Sequence, residues 1–532
     1  MPSAALSRSR GSIRGKAREH LQGQLTPADT VLLIGRIVLL AEFVWLVVFS
    51  LHEYRIDSLT QDFSTYAQAL WLIAHGHLNP LDTSVGVHVW QNDGELILWP
   101  LALLSYLPGG MVWLKIAQDA VLIATGWVAL SWVSEITRES EWKDKFPRAL
   151  AIALAGVLLV CNPALVGAAG FDVHVEPFGG FFAILAARAA WRGRTRPAVL
   201  WAIAICLCGT SCVLLAVAVA VVALVYRNGP GGAKLPRSIA LGIGGGALVW
   251  MLVLGATHAD HSLVVANFSY LVGTRTSPTA VQILFAAVHH PSAVAHQVRI
   301  NAMNMFRDVS FSGGIGVLNP WGLLLAVVVL VPAILSQGSF FASLGFQVFP
   351  LFAFVVVGTV LAVRRVATSR ALRRGVVIAL VAVLGLTVAE AGIPELVSGP
   401  TGWLVVSDST AHQLSRVKEE IPASATVVVS QGVSGWFAER QSLYVVMSLP
   451  PSPKHEQLSS MLLRSVCARV PGNDRPLYLV LTPRQGIETM PIEVTQALVH
   501  SVVHSGASVL SHRSGVWFLR WHPRGSCLAR VG

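Results

Sequence analysis

The strongest constraint on the fold is a series of long apolar segments separated by short clusters of lysine and arginine. The first segment, residues 31–51, is long enough to cross a bilayer, which takes about 20 apolar residues, and it lacks the small-residue cleavage site of a signal peptide. Further apolar runs cover residues 111–133, 150–168, 177–190, 198–207, 213–226, 239–257, 318–335, 348–363 and 375–389. Only 13% of the residues are charged, against roughly 25% in soluble domains, so the sequence predicts a multi-pass α-helical membrane protein.

The net charge of +11 is carried by the clusters between the apolar runs rather than by one basic surface. Lysine and arginine accumulate in the cytoplasmic loops of membrane proteins, so this charge indicates topology and argues against nucleic-acid binding. The clusters lie at residues 138–148, 188–196, 227–237 and 364–374. We expect each of them to be cytoplasmic, together with the basic segment 1–30, whose composition predicts disorder.

If only the apolar runs named above crossed the membrane, alternation from a cytoplasmic N-terminus would place the cluster at 364–374 on the outer side. One more crossing between residues 257 and 318 corrects this, and the polar stretch 296–313 is the best candidate for it. Such a span would line a cavity within the protein; an amphipathic helix on the outer surface is the alternative. With this crossing we predict about eleven transmembrane helices within residues 31–391 and a cytoplasmic N-terminus.

The sequence changes character after this region. Apolar runs shorten to strand length and alternate with helical stretches, which predicts an extracytoplasmic α/β domain over residues 392–532. No glycine-rich phosphate loop follows any of its predicted strands, so no nucleotide site is expected. An oxidising exterior would permit a disulfide between its two cysteines, Cys467 and Cys527.

Residues with reactive side chains concentrate in two segments predicted to face outward. The first outer loop, residues 52–95, contains Asp62, and a later loop contains Asp172, His174 and Glu176. In an extended chain these last three side chains would point the same way. Converging carboxylates and an imidazole can hold a divalent cation such as Mg²⁺ or Mn²⁺, or act as a general base. The alternative is that they cap helix ends at the membrane surface.

Four stretches resemble a bacterial and archaeal family of predicted membrane proteins of unknown function. They are Asp62-x-x-x-Tyr66-x-Gln68-Ala69-Leu70-Trp71 followed by Ala74-His75-Gly76, the element Phe171-Asp172-Val173-His174-Val175-Glu176-Pro177-Phe178, the helix from Asn319-Pro320 to Leu335-Ser336, and Ile421-Pro422-Ala423-Ser424-Ala425-Thr426-Val427 ahead of Tyr444. That family in turn resembles the GT-C glycosyltransferases, the class containing the dolichyl-phosphate-mannose mannosyltransferases.

The resemblance implies a GT-C-like fold in the cell membrane and a glycosyltransferase of the cell envelope. Asp62 would be the general base that deprotonates an extracytoplasmic glycan or protein acceptor, while the donor is a polyprenyl-phosphate-linked sugar and the transfer inverts the anomeric carbon. The residues expected to contact substrate are Tyr66, Gln68, Trp71, His75, His88, Asp93, Asp172, His174, Glu176, Arg275 and Arg299. A divalent cation would be held by Asp62, Asp172, His174 and Glu176.

The chain departs from the family pattern at three places. It has Asp93-Gly94 where the family has an Asp-His pair, Gly209-Thr210-Ser211-Cys212 where a Lys-Glu-Asp element is common, and Phe346-Gln347 where His-Tyr is frequent. A donor phosphate needs cationic or N–H partners, which Arg275 and Arg299 could supply. Two alternatives therefore stay open: a catalytically degenerate relative that binds a lipid-linked glycan or a protein partner, and a transporter suggested by the mid-span Glu42.

Overall fold

The architecture is taken from a computed structural model. It describes residues 26–56, 59–83, 87–139, 148–228, 231–257, 268–273, 280–337, 349–366, 406–446, 476–483 and 492–522. The amino-terminal segment 1–25, the apolar run 375–389, Arg275 and the cysteine pair Cys467 and Cys527 lie outside these residues.

Helices predominate among the described residues up to 366. In chain order they are α1 (Pro27–Arg55), α2 (Gln61–Ala74), α3 (Val89–Asp93), α4 (Leu98–Leu101), α5 (Val112–Glu139), α6 (Arg148–Val160), α7 (Pro163–Ala169), α8 (Glu176–Arg192), α9 (Thr195–Cys206), α10 (Thr210–Val225), α11 (Arg237–Thr257), α12 (Ala280–His289), α13 (Pro291–Phe311), α14 (Pro320–Leu335) and α15 (Phe349–Val366). Short 3-10 helices cover Ala102–Tyr106 and Ile315–Leu318, and a small antiparallel hairpin pairs β1 (Leu81–Asp82) with β2 (Val87–His88).

The helix boundaries follow local sequence signals. The side chains of Thr26, Asn162 and Asn319 each accept a hydrogen bond from a backbone N–H in the first turn of α1, α7 and α14, and a proline follows each of them. Between α9 and α10 the chain turns at Gly209, whose φ of +96° is accessible to glycine at little cost. The two short apolar runs seen in the sequence are therefore two separate helices.

The length and apolar character of the helices confirm a multi-pass membrane protein. Within the described part of the chain, four helical stretches are long and apolar enough to cross a membrane, namely Pro27–Arg55, Val112–Arg138, Arg148–Ala169 and Arg237–Ala256, and α9, α10 and α14 are shorter apolar helices. They pack around a common apolar core in which the buried Trp132 lies edge-on to Trp321, with ring centroids 5.4 Å apart. The total of eleven spans and their orientation stay predictions.

All but the last two residues of the polar stretch 296–313 lie in one continuous helix, α13. Its buried amides cap the end of α14: Gln297 and Asn301 each donate to the carbonyl of Ser336, both at 2.8 Å. The opposite side of α13 exposes Ile300, Met303 and Phe306. Polar residues in this stretch therefore satisfy a helix end, an arrangement compatible with either a polar span or an amphipathic surface helix.

The described residues from 406 to 522 contain both helices and strands, while their status as a separate extracytoplasmic domain over residues 392–532 stays a prediction. The elements of this carboxy-terminal unit are α16 (Asp408–Glu420), β3 (Thr426–Ser430), a 3-10 helix (Gln431–Phe437), β4 (Leu443–Val446), β5 (Leu477–Leu481), α17 (Ile492–His504), β6 (Ser508–Arg513) and β7 (Val516–Trp521). The strands form one sheet in the order β4-β3-β5-β7-β6, in which β3 is parallel to β4 and β5 while β7 is antiparallel to β5 and β6. Apolar side chains on the two faces of this sheet contribute to two separate clusters.

Four strands, β3, β4, β5 and β7, match the strand-length apolar runs of the sequence at 426–430, 443–447, 477–482 and 515–521, whereas β6 was missed because its alternation is weak. Its residues read Ser-Val-Leu-Ser-His-Arg, and most of them are exposed at the edge of the sheet. Helix α17 was missed as well. The first outer loop also needs correction, because the stretch treated as loop contains the fourteen-residue helix α2.

Candidate functional site

The start of α2 is held by a side chain more than a hundred residues away in sequence. Both carboxylate oxygens of Asp172 accept the backbone N–H of Thr60 at 3.0 Å, and one also accepts the N–H of Phe63 at 3.1 Å and the Thr60 hydroxyl. Thr60 itself makes no side-chain cap, so Asp172 supplies the acceptor that the exposed N–H groups of a helix start require. This contact brings the segment 170–175 against the first turn of α2.

The same turn of α2 places Asp62 beside His174. The Oδ2 atom of Asp62 lies 3.4 Å from Nε2 of His174, and Nδ1 of His174 lies 3.7 Å from Oε2 of Glu176. The Asp62 side chain is 35% exposed, whereas that of His174 is 10% exposed. A carboxylate open to solvent is thus backed by a buried imidazole, which in turn contacts a second carboxylate.

Aromatic and acidic groups surround this pair. The Tyr66 ring, one turn along α2 from Asp62, meets the His174 ring edge-on at 5.9 Å, and its hydroxyl donates to Oε1 of Glu95 at 2.8 Å. Phe171 lies on His174 with ring centroids 5.4 Å apart. Glu95 belongs to the first predicted loop but was not among the expected site residues; its position three residues before α4 gave no signal that would distinguish it from the other acidic residues there.

The environment shifts the pKa values of two of these groups. Burial raises the pKa of Asp172, and the negative charge of Asp62 acts in the same direction against the hydrogen bonds from Thr60 and Phe63. For His174, burial acts to lower the pKa, but the contact with Asp62 and the negative charges of Asp62, Glu176 and Asp172 outweigh it and raise the pKa above its ordinary value. The neighbouring carboxylates therefore stabilise the protonated form of the imidazole more than water would.

Two buried residues of α5 bind the backbone of residues 168–174, the segment that carries Asp172 and His174. Neither was among the predicted site residues. Lys115 and Gln118 are each 0% exposed. Lys115 donates to backbone carbonyls of this segment and pairs with Glu53 across 3.1 Å, while Gln118 bonds the backbone of Asp172 and His174. Their signal was the polar spacing Lys115-x-x-Gln118-Asp119 within an otherwise apolar run, which marks one face of a helix.

The structure brings five predicted site residues together: Asp62, Tyr66, Asp172, His174 and Glu176. Glu176 is the first residue of α8 rather than part of an extended strand, so the predicted single row of side chains is wrong. Asp172 instead turns to the start of α2, while His174 and Glu176 face each other.

Other predicted site residues make contacts away from this cluster. The amide of Gln68 donates to the carbonyls of Arg440 and Gln441 in the carboxy-terminal unit, at 3.2 and 3.4 Å. Trp71 stacks on His75 at 3.9 Å, and the ring of His88 contacts the carbonyl of Asn79. Arg299 is exposed on α13; Arg275 and the side chain of Asp93 lie outside the described part of the chain.

Among the described residues, no three histidine, cysteine or acidic side chains lie close enough to hold a metal ion. Both oxygens of Asp172 are engaged with the start of α2. A metal at Asp62, Asp172, His174 and Glu176 would require Asp172 to exchange those backbone partners for the ion. The metal site stays a prediction.

Two solved structures are among those similar to this chain. ArnT from Cupriavidus metallidurans, crystallised with undecaprenyl phosphate, is 14% identical with a TM-score of 0.47, and the match covers 93% of this chain and 98% of that one. The oligosaccharyltransferase of Archaeoglobus fulgidus, crystallised with zinc and sulfate, is 12% identical with a TM-score of 0.43, and the match covers 88% of this chain and 70% of that one. No curated protein sequence matches the chain.

One family description matches most of the sequence. It covers residues 54–458 and so includes the α2 motif, the Phe171–Phe178 element and the region from α14 to β4. All four stretches that resemble the family of predicted membrane proteins lie within these residues. The chain therefore belongs to the family described as predicted membrane protein (DUF2079).

Proposed function

We propose that the protein is an inverting membrane glycosyltransferase that transfers a sugar from a polyprenyl-phosphate donor to an extracytoplasmic hydroxyl acceptor. The observation that carries this proposal is the pair formed by the solvent-open Asp62 and the buried His174, 3.4 Å apart. A base that takes a proton from a substrate must be within reach of that substrate, and the Asp62 carboxylate is partly open to solvent while His174 holds it from the buried side. Membership of a membrane-protein family and the motif resemblance support the choice of a lipid-linked donor.

The reaction requires one displacement at the anomeric carbon. Asp62 takes the proton of the acceptor hydroxyl as the oxygen forms a bond to that carbon. The bond from the carbon to the phosphate oxygen breaks, and polyprenyl phosphate leaves with the electron pair. Because attack and departure occur on opposite faces of the sugar, a single displacement inverts the configuration.

Each neighbour of Asp62 has a different role in this scheme. His174 orients the Asp62 carboxylate and compensates its charge, and Glu176 holds the other ring nitrogen. Asp172 stays bonded to the start of α2 and does not meet the acceptor. Tyr66 and Glu95 offer a hydroxyl and a carboxylate that can bind sugar hydroxyls next to the base.

Replacement of Asp62 by Asn tests the proposal directly. The amide keeps the shape of the carboxylate but is no base, so we expect turnover to fall by about 10²–10⁴-fold while donor affinity is retained. The measurement is transfer of labelled sugar by the purified full chain in lipid nanodiscs, with a panel of polyprenyl-phosphate sugars and hydroxyl acceptors. Turnover by the Asn variant at the native rate would rule out the assigned base.

A second candidate function is binding of a lipid-linked glycan without transfer. The partly open Asp62 and the Tyr66–Glu95 pair beside it can hydrogen-bond sugar hydroxyls without taking a proton from an acceptor. In that case the native protein would retain a polyprenyl-phosphate sugar in native mass spectrometry, catalyse no transfer, and bind equally well after Asp62→Asn.

A further inference from the structure

Two polar side chains of α5 lie on one face of the helix and point at the segment that carries His174. Lys115 and Gln118 are three residues apart, which places them almost above one another on a helix. Both are fully buried, in a helix long and apolar enough to cross the membrane. Burying such groups is unfavourable unless every donor and acceptor finds a partner, so their partners indicate what they do.

Lys115 binds the chain just after α7. Its Nζ donates to the carbonyls of Ala169 and Phe171, at 2.7 and 2.8 Å, and lies 3.1 Å from Oε2 of Glu53 on α1. The carbonyls at the end of a helix have no partner within it, and a cation there is favoured by the helix dipole. Lys115 thus fixes the exit from α7 and connects it to α1.

Gln118 binds the next part of the same segment. Its Nε2 donates to the carbonyl of Ala168 at 3.0 Å and approaches that of Asp172 at 3.4 Å, while its Oε1 accepts the backbone N–H of His174 at 2.8 Å. An amide side chain is suited to this because it both donates and accepts. The bond to the His174 N–H fixes the backbone of that residue against α5.

The contacts continue from this segment to α2. The segment 168–174 makes five backbone contacts with the two α5 side chains: the carbonyls of Ala168, Ala169, Phe171 and Asp172 and the N–H of His174. On its other side, Asp172 caps α2 and His174 meets Asp62. The segment is held between α5 and α2 by polar contacts on both sides.

We propose that Lys115 and Gln118 are positioning residues that set the backbone path of residues 168–174 and thereby hold His174 against Asp62. They do not meet substrate; they act through His174 and Asp172. This inference rests on the proposed function for its role in catalysis, but the geometry that it predicts can be measured without turnover.

The test is the titration of His174 in the full-length protein reconstituted into lipid. Histidine labelled with ¹⁵N reports ring protonation by NMR, and the signal of His174 is assigned by its loss in His174→Asn. In Gln118→Met the segment loses both the donor and the acceptor of the amide at similar side-chain length. We expect His174 to move away from Asp62 and its titration midpoint to fall by about one pH unit or more.

A matched control is Gln297→Met on α13, which also removes a buried amide that bonds a backbone carbonyl. It should leave the His174 titration unchanged even if it lowers thermal stability equally. A second variant, Lys115→Met with Glu53→Gln, removes both members of the ion pair and should lower the midpoint as well. If Gln118→Met does not fold, Gln118→Asn, which keeps the amide but shortens its reach, takes its place.

Two results would overturn the inference: a native His174 midpoint in folded Gln118 variants, or an equal fall in the Gln297 control. A working transfer assay adds a further reading, in which the Gln118 variant lowers kcat at least about tenfold with an unchanged KM for the donor. Failure of the transferase proposal would appear as absent turnover in the native protein, with the NMR result unaffected.

Discussion

At the scale of single residues, the site shows how one side-chain type takes two roles. Asp62 and Asp172 both belong to motifs of the family, and the sequence offered each as a site residue. The structure buries Asp172 and bonds both its oxygens to the backbone, whereas it leaves the Asp62 carboxylate partly open to solvent. Burial and hydrogen bonding, rather than residue type, therefore distinguish the candidate base from the helix cap.

The raised pKa of His174 predicts a pH-dependent contribution to stability. A group that binds its proton more tightly when folded stabilises the protein fully below its unfolded pKa of about 6.5. That contribution is lost as the pH rises through the higher folded pKa. We expect the unfolding temperature of the native protein to exceed that of His174→Gln most near pH 6, by a margin that shrinks towards about pH 9.

Replacing Asp62, the carboxylate that contacts His174, provides the control. When Asp62→Asn is already present, His174→Gln should show a much smaller pH trend, because the largest favourable interaction with the imidazolium is gone. Differential scanning calorimetry or intrinsic fluorescence in one detergent gives the unfolding temperatures across the pH range. The two differences to compare are native minus His174→Gln, and Asp62→Asn minus the double variant. A margin that grows with pH would contradict the assigned direction.

At the scale of elements, α2 connects the helical region to the carboxy-terminal unit. The N–H of Gly435 donates to the carbonyl of Leu59 at 3.2 Å, and Oε1 of Glu439 accepts the N–H of Met111 at 2.9 Å. Farther along α2, the side-chain amide of Gln68 donates to the backbone carbonyl of Arg440. The helix that carries Asp62 is thus held by the carboxy-terminal unit on one side and by Asp172 on another.

A side chain at Gly435 would clash where the carboxy-terminal unit contacts the start of α2. A Cβ atom there would lie 2.7 Å from the Leu59 carbonyl oxygen and 3.0 Å from a ring carbon of Phe63. We expect Gly435→Ala to lower the free energy of unfolding by about 1–3 kcal/mol, because backbone must move to relieve the contact. Thermal unfolding of the purified protein measures this loss.

The matched control is Gly156→Ala in α6, where a Cβ atom would meet nothing within 4 Å. Alanine is the better helix former, so this variant should be neutral or more stable by up to about 1 kcal/mol. Equal effects at the two glycines would mean that the close approach of residues 59 and 435 does not hold the unit in place.

At the scale of the whole molecule, the positive-inside pattern predicts that the hairpin between α8 and α9 is cytoplasmic and that the carboxy-terminal unit is outside. In a variant with all six cysteines replaced by alanine, we expect Ser508→Cys, exposed on β6, to react with a membrane-impermeant maleimide added to intact cells. Arg194→Cys, exposed in the hairpin, should react only after the membrane is opened. The reverse pattern would show that the orientation is wrong.

Periodicity and composition were sufficient for much of the architecture. Apolar runs give the spans because a bilayer admits only helices of sufficient length, and β3, β5 and β7 read as strands because they are short, apolar and bounded by turns. Residues with no repeating pattern, such as those of β6, could not be predicted in this way. The match of the α2 motif to a family was likewise available from residues alone.

By itself, then, the sequence determined a multi-pass membrane protein of this family, with alternating strand-like and helical segments after the helices and two motifs that carry acidic residues. Only the tertiary structure decided that His174 lies against Asp62, that Asp172 caps α2, and that Lys115 and Gln118 support the segment between them. The physical reason is that hydrophobic patterning reports which face of an element is buried. It carries no information on which polar groups, distant along the chain, meet to satisfy one another's hydrogen bonds and charges.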